Sequence, residues 1–238
     1  MVCSSGISFD PVVNDTHYTF QVAGVYNGLF VMEDRLTGSV WSHYEGKVLE
    51  GPLAGQGLVM DYVPTTQTTW EEWLALHPDT LVLDFNTGFE QRYRENVAIG
   101  RRGLSEQFLD TIINMDTRLD EFELVLGVEA GGEHRAYILQ ELPNNKSVIN
   151  DTLGGESIAI FSQNSTYATV FSSAVNGQLL TFSSDGSKIT DDLGNVWSLD
   201  GRCESGPFAG ERLVSGYGFV SEWYGWAAYH PQTTIYGR

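Results

Sequence analysis

The sequence predicts a mainly β protein with a few short helices, built as two pseudo-symmetric β-rich repeats in a barrel- or sandwich-like body. Three observations predict it. An ordered set of motifs occurs twice along the chain, and such internal repetition marks a duplicated structural unit. Short runs of β-branched and aromatic residues are bounded by Gly, Asn and Asp, the pattern of strands joined by tight turns. Helix-period segments are few.

The repetition is read directly. Gly38-Ser39-Val40-Trp41-Ser42 returns as Gly194-Asn195-Val196-Trp197-Ser198, and Gly51-Pro52-Leu53-Ala54-Gly55 as Gly206-Pro207-Phe208-Ala209-Gly210. Trp70, Trp73, His77, Pro78 and Thr80 match Trp223, Trp226, His230, Pro231 and Thr233 at identical internal spacing. Phe9 and Phe20 match Phe171 and Phe182. The expected organisation is a first repeat at 1–85, a connector with a helix and a hairpin at 86–155, and a second repeat at 156–238. Met1 aligns near Gln163, so the counterpart of the strand Ser157–Phe161 is missing from the first repeat, which reads as N-terminally incomplete.

Within this frame Tyr18–Val22, Leu29–Glu33 and Leu179–Phe182 read as strands. Thr68 or Thr69 can cap a helix over Trp70–Leu76, with Glu71 and Glu72 in its first turn and Pro78 beyond its end. A second helix is expected over Ser105–Ile113. Leu124–Glu129 and His134–Leu139 flank Gly131-Gly132, a dipeptide suited to the positive φ of a hairpin turn. Asn176-Gly177 and Asp185-Gly186 are further turn sites. Ser221 and Glu222 open the helix that matches the first one and ends before Pro231.

Composition narrows the function classes. Of 238 residues, 42% are hydrophobic and 12% aromatic, enough to exclude a disordered chain. Thirteen Lys and Arg against 31 Asp and Glu give a formal charge of −18, which opposes a nucleic-acid partner. No apolar run approaches the roughly 18–20 residues of a membrane span, so no membrane insertion is expected. The first residues carry neither a basic nor an apolar leader region, which makes the cytoplasm the default expectation. Two Cys exclude a disulfide scaffold and a four-Cys zinc site. The Gly-Pro loops lack the Lys-Ser/Thr of a phosphate cradle, and a turn that needs Gly dihedrals is the expected reason for them. No Gly-x-Ser-x-Gly elbow is present.

The order Gly-Ser-Val-Trp, Gly-Pro-Leu-Ala-Gly, Trp-x-x-Trp-x-x-x-His-Pro-Asp-Thr, Leu126-Gly127-Val128-Glu129…Arg135-Ala136-Tyr137 and Val148-Ile149-Asn150-Asp151-Thr152-Leu153-Gly154-Gly155 resembles the bacterial and archaeal domain-of-unknown-function family 3179. The resemblance runs through essentially the whole chain and implies no established reaction. It implies a Cys-x-x-Cys before the Phe-Asp-Pro segment, of which only Cys3 is present, and an upstream His-bearing stretch that is absent. Ser165 takes the matching position in the second repeat.

The leading candidates for chemistry are the two Trp/His helices. At i, i+3 and i+7, Trp70, Trp73 and His77 share one face, as do Trp223, Trp226 and His230. Neutral imidazole suits a metal ligand or a general base, and the same residues equally suit a helix anchored to a sheet by its Trp pair. The expected metal set, for a transition metal, is His77, Asp79, Cys3 and His230, with Gln232 in place of Asp79 in the second repeat. Cys203 aligns with Val48 and reads as a core residue. Arg92, Arg94, Arg101 and Arg102 concentrate positive charge in the connector, as an anion clamp or as surface ion pairs. The sequence thus leaves three readings: a metal-dependent or redox protein, a binding module with Trp70, Trp73, Trp223, Trp226, Arg92 and Arg94 facing a small molecule, sugar or peptide, and a duplicated scaffold. Exposure of Trp70 and Trp223 separates a surface platform from a cleft that supports chemistry. Oligomeric state is not legible.

Overall fold

Gly131 and Gly132 take φ of +55° and +78° and turn Leu124–Ala130 back on Glu133–Ile138. This hairpin is the centre of the protein, for which a computed structural model describes residues 5–93 and 104–238. Tyr217–Glu222 pairs antiparallel with Leu124–Ala130, and Thr234–Ile235 pairs parallel with Glu133–Ile138, to give a four-stranded mixed sheet.

The two-residue period of a strand decides what this sheet covers. Leu126, Val128, Tyr137 and Val220 meet Ile158, Ile160 and Val170 of a three-stranded sheet, formed by Ser147–Leu153, Glu156–Gln163 and Tyr167–Ser172. Ala159, Phe161, Tyr167 and Phe171 on the far side of that second sheet meet Phe182, Ile189 and Trp197 of a four-stranded meander over residues 182–205. The opposite face of the central sheet carries Val125, Ala136 and Phe219, against which the helix Trp223–Tyr229 packs. The result is mainly β and layered like a sandwich. Among the described residues no sheet closes into a barrel, because the strands are short and fall into seven separate sheets, each with edges.

A second four-stranded meander, Phe20–Tyr26, Leu29–Asp34, Val40–Ser42 and Val48–Glu50, has the same antiparallel order as residues 182–205. Its core holds Val13, Tyr18, Trp41 and Met60, while Leu29 and Tyr44 reach under the helix Trp223–Tyr229. The two meanders share details the sequence matches do not reveal. The Asp34 carboxylate accepts from the Trp41 indole at 3.0 Å, and Asp191 accepts from Trp197 at 2.9 Å. Burial pushes both carboxyls up, and the hydrogen bonds from these indoles and the adjoining turns outweigh it, so both sit below the ordinary carboxylate value. Gly51 and Gly206 have φ of +100° and +108°, and a Cβ on either would stand 2.7 Å from the Cα of Ser39 or Asn195. The Gly-Pro loops are therefore turns.

Among the described residues there are three α-helices: α1 at Trp70–Leu76, α2 at Glu106–Leu109 and α3 at Trp223–Tyr229. The Thr69 hydroxyl accepts from the Glu72 amide, and the Glu72 carboxylate accepts in return from the Thr69 amide, a reciprocal cap. Ser105 caps α2, which is shorter than Ser105–Ile113 because its last turn ends in carbonyl bonds of a tighter type. The start of α3 departs from expectation. Ser221 belongs to the strand, and the amides of Trp223 and Tyr224 donate to the carbonyls of Glu123 and Glu121, so a neighbouring segment does the capping. Leu179–Phe182 is not one strand: Gln178–Leu179 closes a small hairpin at Asn176-Gly177, and Phe182–Ser184 opens the next meander. No helix is long and apolar enough to cross a membrane among the described residues.

Gly127 fixes how closely α3 approaches. A Cβ there would lie 2.1 Å from Cε3 of Trp226, whose ring rests on the strand backbone. Gly127→Ala should therefore destabilise the fold by about 1–3 kcal/mol, the range for overpacking. Urea unfolding measures it, and an unchanged midpoint would contradict this packing.

Candidate functional site

The chain brings two histidines together from distant positions. His230 caps the C-terminal end of α3, its amide donating to the Trp226 carbonyl at 2.9 Å. His134 lies on Glu133–Ile138, directly across the hairpin from Glu129. The imidazoles stack with centroids 4.1 Å apart and planes at 24°, and the Trp226 ring backs His230 at 4.1 Å. Nε2 of His134 is 3.4 Å from Oε2 of Glu129.

His134, His230 and Glu129 stand at the wall of a cleft of about 860 Å³, within the size range of small-molecule sites. Glu45, Lys47, Glu156, Tyr217 and Tyr229 also line it. It lies where the first meander, the central sheet and the three-stranded sheet meet. His230 is only 8% exposed, and among the described residues no hydrogen bond engages its ring nitrogens. Burial first, then the positive charges of His134 and Lys47, push its pKa down to about 3, so the ring is neutral at pH 7. A neutral imidazole presents one N–H donor and one acceptor. The ring nitrogens are not sealed off from solvent, so they open onto the cleft, where a ligand can bond them.

The stack also bears on metal chemistry. Imidazole lone pairs lie in the ring plane, so two stacked rings direct them side by side toward separate points. Among the described residues no three His, Cys, Asp or Glu side chains are placed to hold a metal ion.

The first half repeats the motif and not its setting. The rings of Trp73 and His77 are 4.1 Å apart at 41°, against 4.1 Å and 42° for Trp226 and His230. Trp73 donates to the Thr80 hydroxyl at 2.8 Å, and Trp226 to that of Thr233 at 2.9 Å. Yet α1 contains no buried residue: Trp70 is 53% exposed, whereas Trp223 is fully buried beneath the Arg118 guanidinium. His77 is half-buried and Asp79 exposed, and neither contributes to the cleft. Of the expected metal set, only His230 lines it. Cys3 and Arg94 lie outside the described residues, as do Arg101 and Arg102. Arg92 is exposed and rests over Phe89 at 5.4 Å. Cys203 is a buried free thiol whose pKa burial raises, a core residue as its alignment with Val48 suggests.

Comparison with known proteins gives one positive finding: a family model described as a protein of unknown function, DUF3179, matches residues 1–233. The chain belongs to the DUF3179 family. No curated protein and no solved structure matches it. For a DUF3179 member the family therefore supplies no activity, and the cleft is the basis for a functional reading. The sequence reading named His230 and missed His134, although the signal was there. A hairpin turning at Gly131-Gly132 sets Ala130 opposite Glu133 and Glu129 opposite His134.

Proposed function

We propose that this chain binds a small organic molecule in the cleft walled by His134, His230, Glu129 and Tyr217. The observation that carries the reading is His230: a largely buried, neutral imidazole at the cleft wall, stacked on a second imidazole, whose ring nitrogens open to the cleft and make no hydrogen bond among the described residues. A stacked pair backed by an indole is a rigid polar platform, and rigidity lowers the ordering cost of binding. The face-to-face stack favours an organic ligand over a metal ion, since its lone pairs do not converge. The exposed Trp70 and the half-buried Trp73 lie on a helix without buried residues and are the weaker ligand-binding candidates.

The test uses protein carrying labelled histidine and a collection of fragment-sized organic molecules with positive, negative and no charge. The chain has five His. Binding in the cleft should move the NMR signals of His134 and His230 together and leave those of His17 and His77 in place. If no fragment moves the His134 and His230 signals, the reading fails.

We also infer that 1–85 and 156–238 descend from one duplicated unit, joined by 86–155. Support comes from the matched meander order, the Asp–Trp bonds and the matched Trp–His–Thr geometry. The cleft then arises where two copies of one architecture diverged: one helix carries its His into the core, and the other stays outside.

A further inference from the structure

We infer that the cleft takes an organic cation, an ammonium group attached to an apolar body; this rests on the cleft being a ligand site. The charges facing it are unequal. Glu45, Glu129 and Glu156 bring three carboxylates, from the first meander, the central sheet and the three-stranded sheet respectively, against the one ammonium of Lys47. Lys47 is held by Glu45 at 2.9 Å and is half in solvent, so it does not occupy the interior. Oε1 of Glu156 accepts from the Gly131 amide at 3.1 Å, which fixes the carboxylate at the hairpin turn and leaves its other oxygen free among the described residues. Glu129 uses one oxygen toward His134 and likewise keeps the other.

Two further observations agree. The Tyr217 hydroxyl is pushed up by burial and then by the negative charges of Glu129 and Glu45, so the cleft wall itself feels their field. His230 stays neutral at pH 7, and the lining groups able to oppose the three carboxylates are Lys47, already paired with Glu45, and His134, beside Glu129. An anion would meet three carboxylates and an uncharged imidazole. An ammonium meets free carboxylate oxygens, an imidazole acceptor, and the aromatic side chains of Tyr217 and Tyr229, a ring type that attracts cations. Val59, Ile158, Val170 and Leu179 give the ligand's body an apolar surface. The net charge of −18 steers cations toward the protein as a whole.

The test is a matched series of probes, 2-phenylethylammonium, 2-phenylethanol and phenylacetate, which share a ring and differ in the charge of the terminal group. Titration followed at the His230 signal should give the ammonium about tenfold or more over the alcohol, with no saturable response to the carboxylate. Glu129→Gln should bring ammonium and alcohol close to parity, whereas Glu71→Gln, on the exposed face of α1, should leave the preference intact. Equal affinities for ammonium and alcohol, preference for the carboxylate, or silence from all three while other fragments move the His230 signal would overturn the charge class and leave the cleft standing. Silence from every fragment would overturn the underlying reading instead.

Discussion

Trp226→Ala should cost about 3–5 kcal/mol of folding free energy, while the same truncation at Trp73 should cost no more than about 1 kcal/mol. The two residues have the same motif neighbours, so sequence alone predicts equal costs. Trp226 is fully buried, rests on the Gly127 backbone and touches Tyr44, Phe219, His134 and His230. Removing its ring opens a cavity that a β-sheet cannot collapse into, and leaves the Thr233 hydroxyl without its indole donor. Trp73 makes the matching bond to Thr80 on a helix with no buried residue, where water replaces what is lost. Urea unfolding of both variants measures the difference. Equal losses would mean that α1 is packed as deeply as α3, and would remove the asymmetry from which the cleft reading starts.

That asymmetry marks the limit of what the sequence could tell. The elements set by local chemistry were legible: the Thr69 cap with Glu72 three residues on, the hairpin turn at Gly131-Gly132, and the turns of the Gly-Pro loops. Each depends on residues within one turn of each other, and the physics is equally local. Which Trp/His helix enters the core depends instead on what it meets. For α3 that surface is the hairpin 124–138, whose glycine at 127 makes room for Trp226 about a hundred residues away in sequence. The exposed run Leu81, Val82 and Leu83 occupies the positions that in the second half give the strand Thr234–Ile235, paired to Glu133–Ile138. A repeated motif cannot announce which copy has a partner, because the motif residues are the same in both.

The candidate site was legible in part for the same reason. His230 was found because its motif repeats, and it was grouped with His77 and Cys3 on that ground. The group it joins in space comprises His134 and Glu129, which repeat nothing. Strand register would have paired these two with each other, but only the packing of α3 on the central sheet stacks His230 on His134. The Asp34 and Asp191 acceptors were missed for a related reason. Each precedes its Trp by a turn and a strand reversal, so the bond is visible only once the meander is formed.

Stability should fall as pH drops below about 6.5, with His230 as the largest single histidine contribution. Its pKa is about 3 in the folded protein against an ordinary value of 6.5, because burial and the charges of His134 and Lys47 oppose protonation. Above 6.5 the ring is neutral in both states and adds no pH dependence. Between 6.5 and 3 the unfolded chain binds a proton that the folded chain refuses, so acid favours unfolding, with a limiting slope of about 1.4 kcal/mol per pH unit. His43 acts in the same direction, its pKa lowered by burial against the raising effect of its bond to the Phe30 carbonyl. The carboxyls of Asp34 and Asp191 contribute at lower pH, since both lie below the ordinary value of 3.8, and their stabilisation is lost only as pH falls below that value. Urea midpoints from pH 6.5 down to about 5.5 therefore isolate the histidines, since Glu72 and Glu90, held below the ordinary 4.5, enter only nearer that value. His230→Gln keeps a polar side chain at the position and cannot titrate, so it should remove most of the slope and leave the His43 share. Equal slopes in the two proteins would mean that His230 accepts a proton where it stands, and the cleft would then carry a buried positive charge that disfavours an organic cation. The same titration thus bears on stability and on ligand class through one ring.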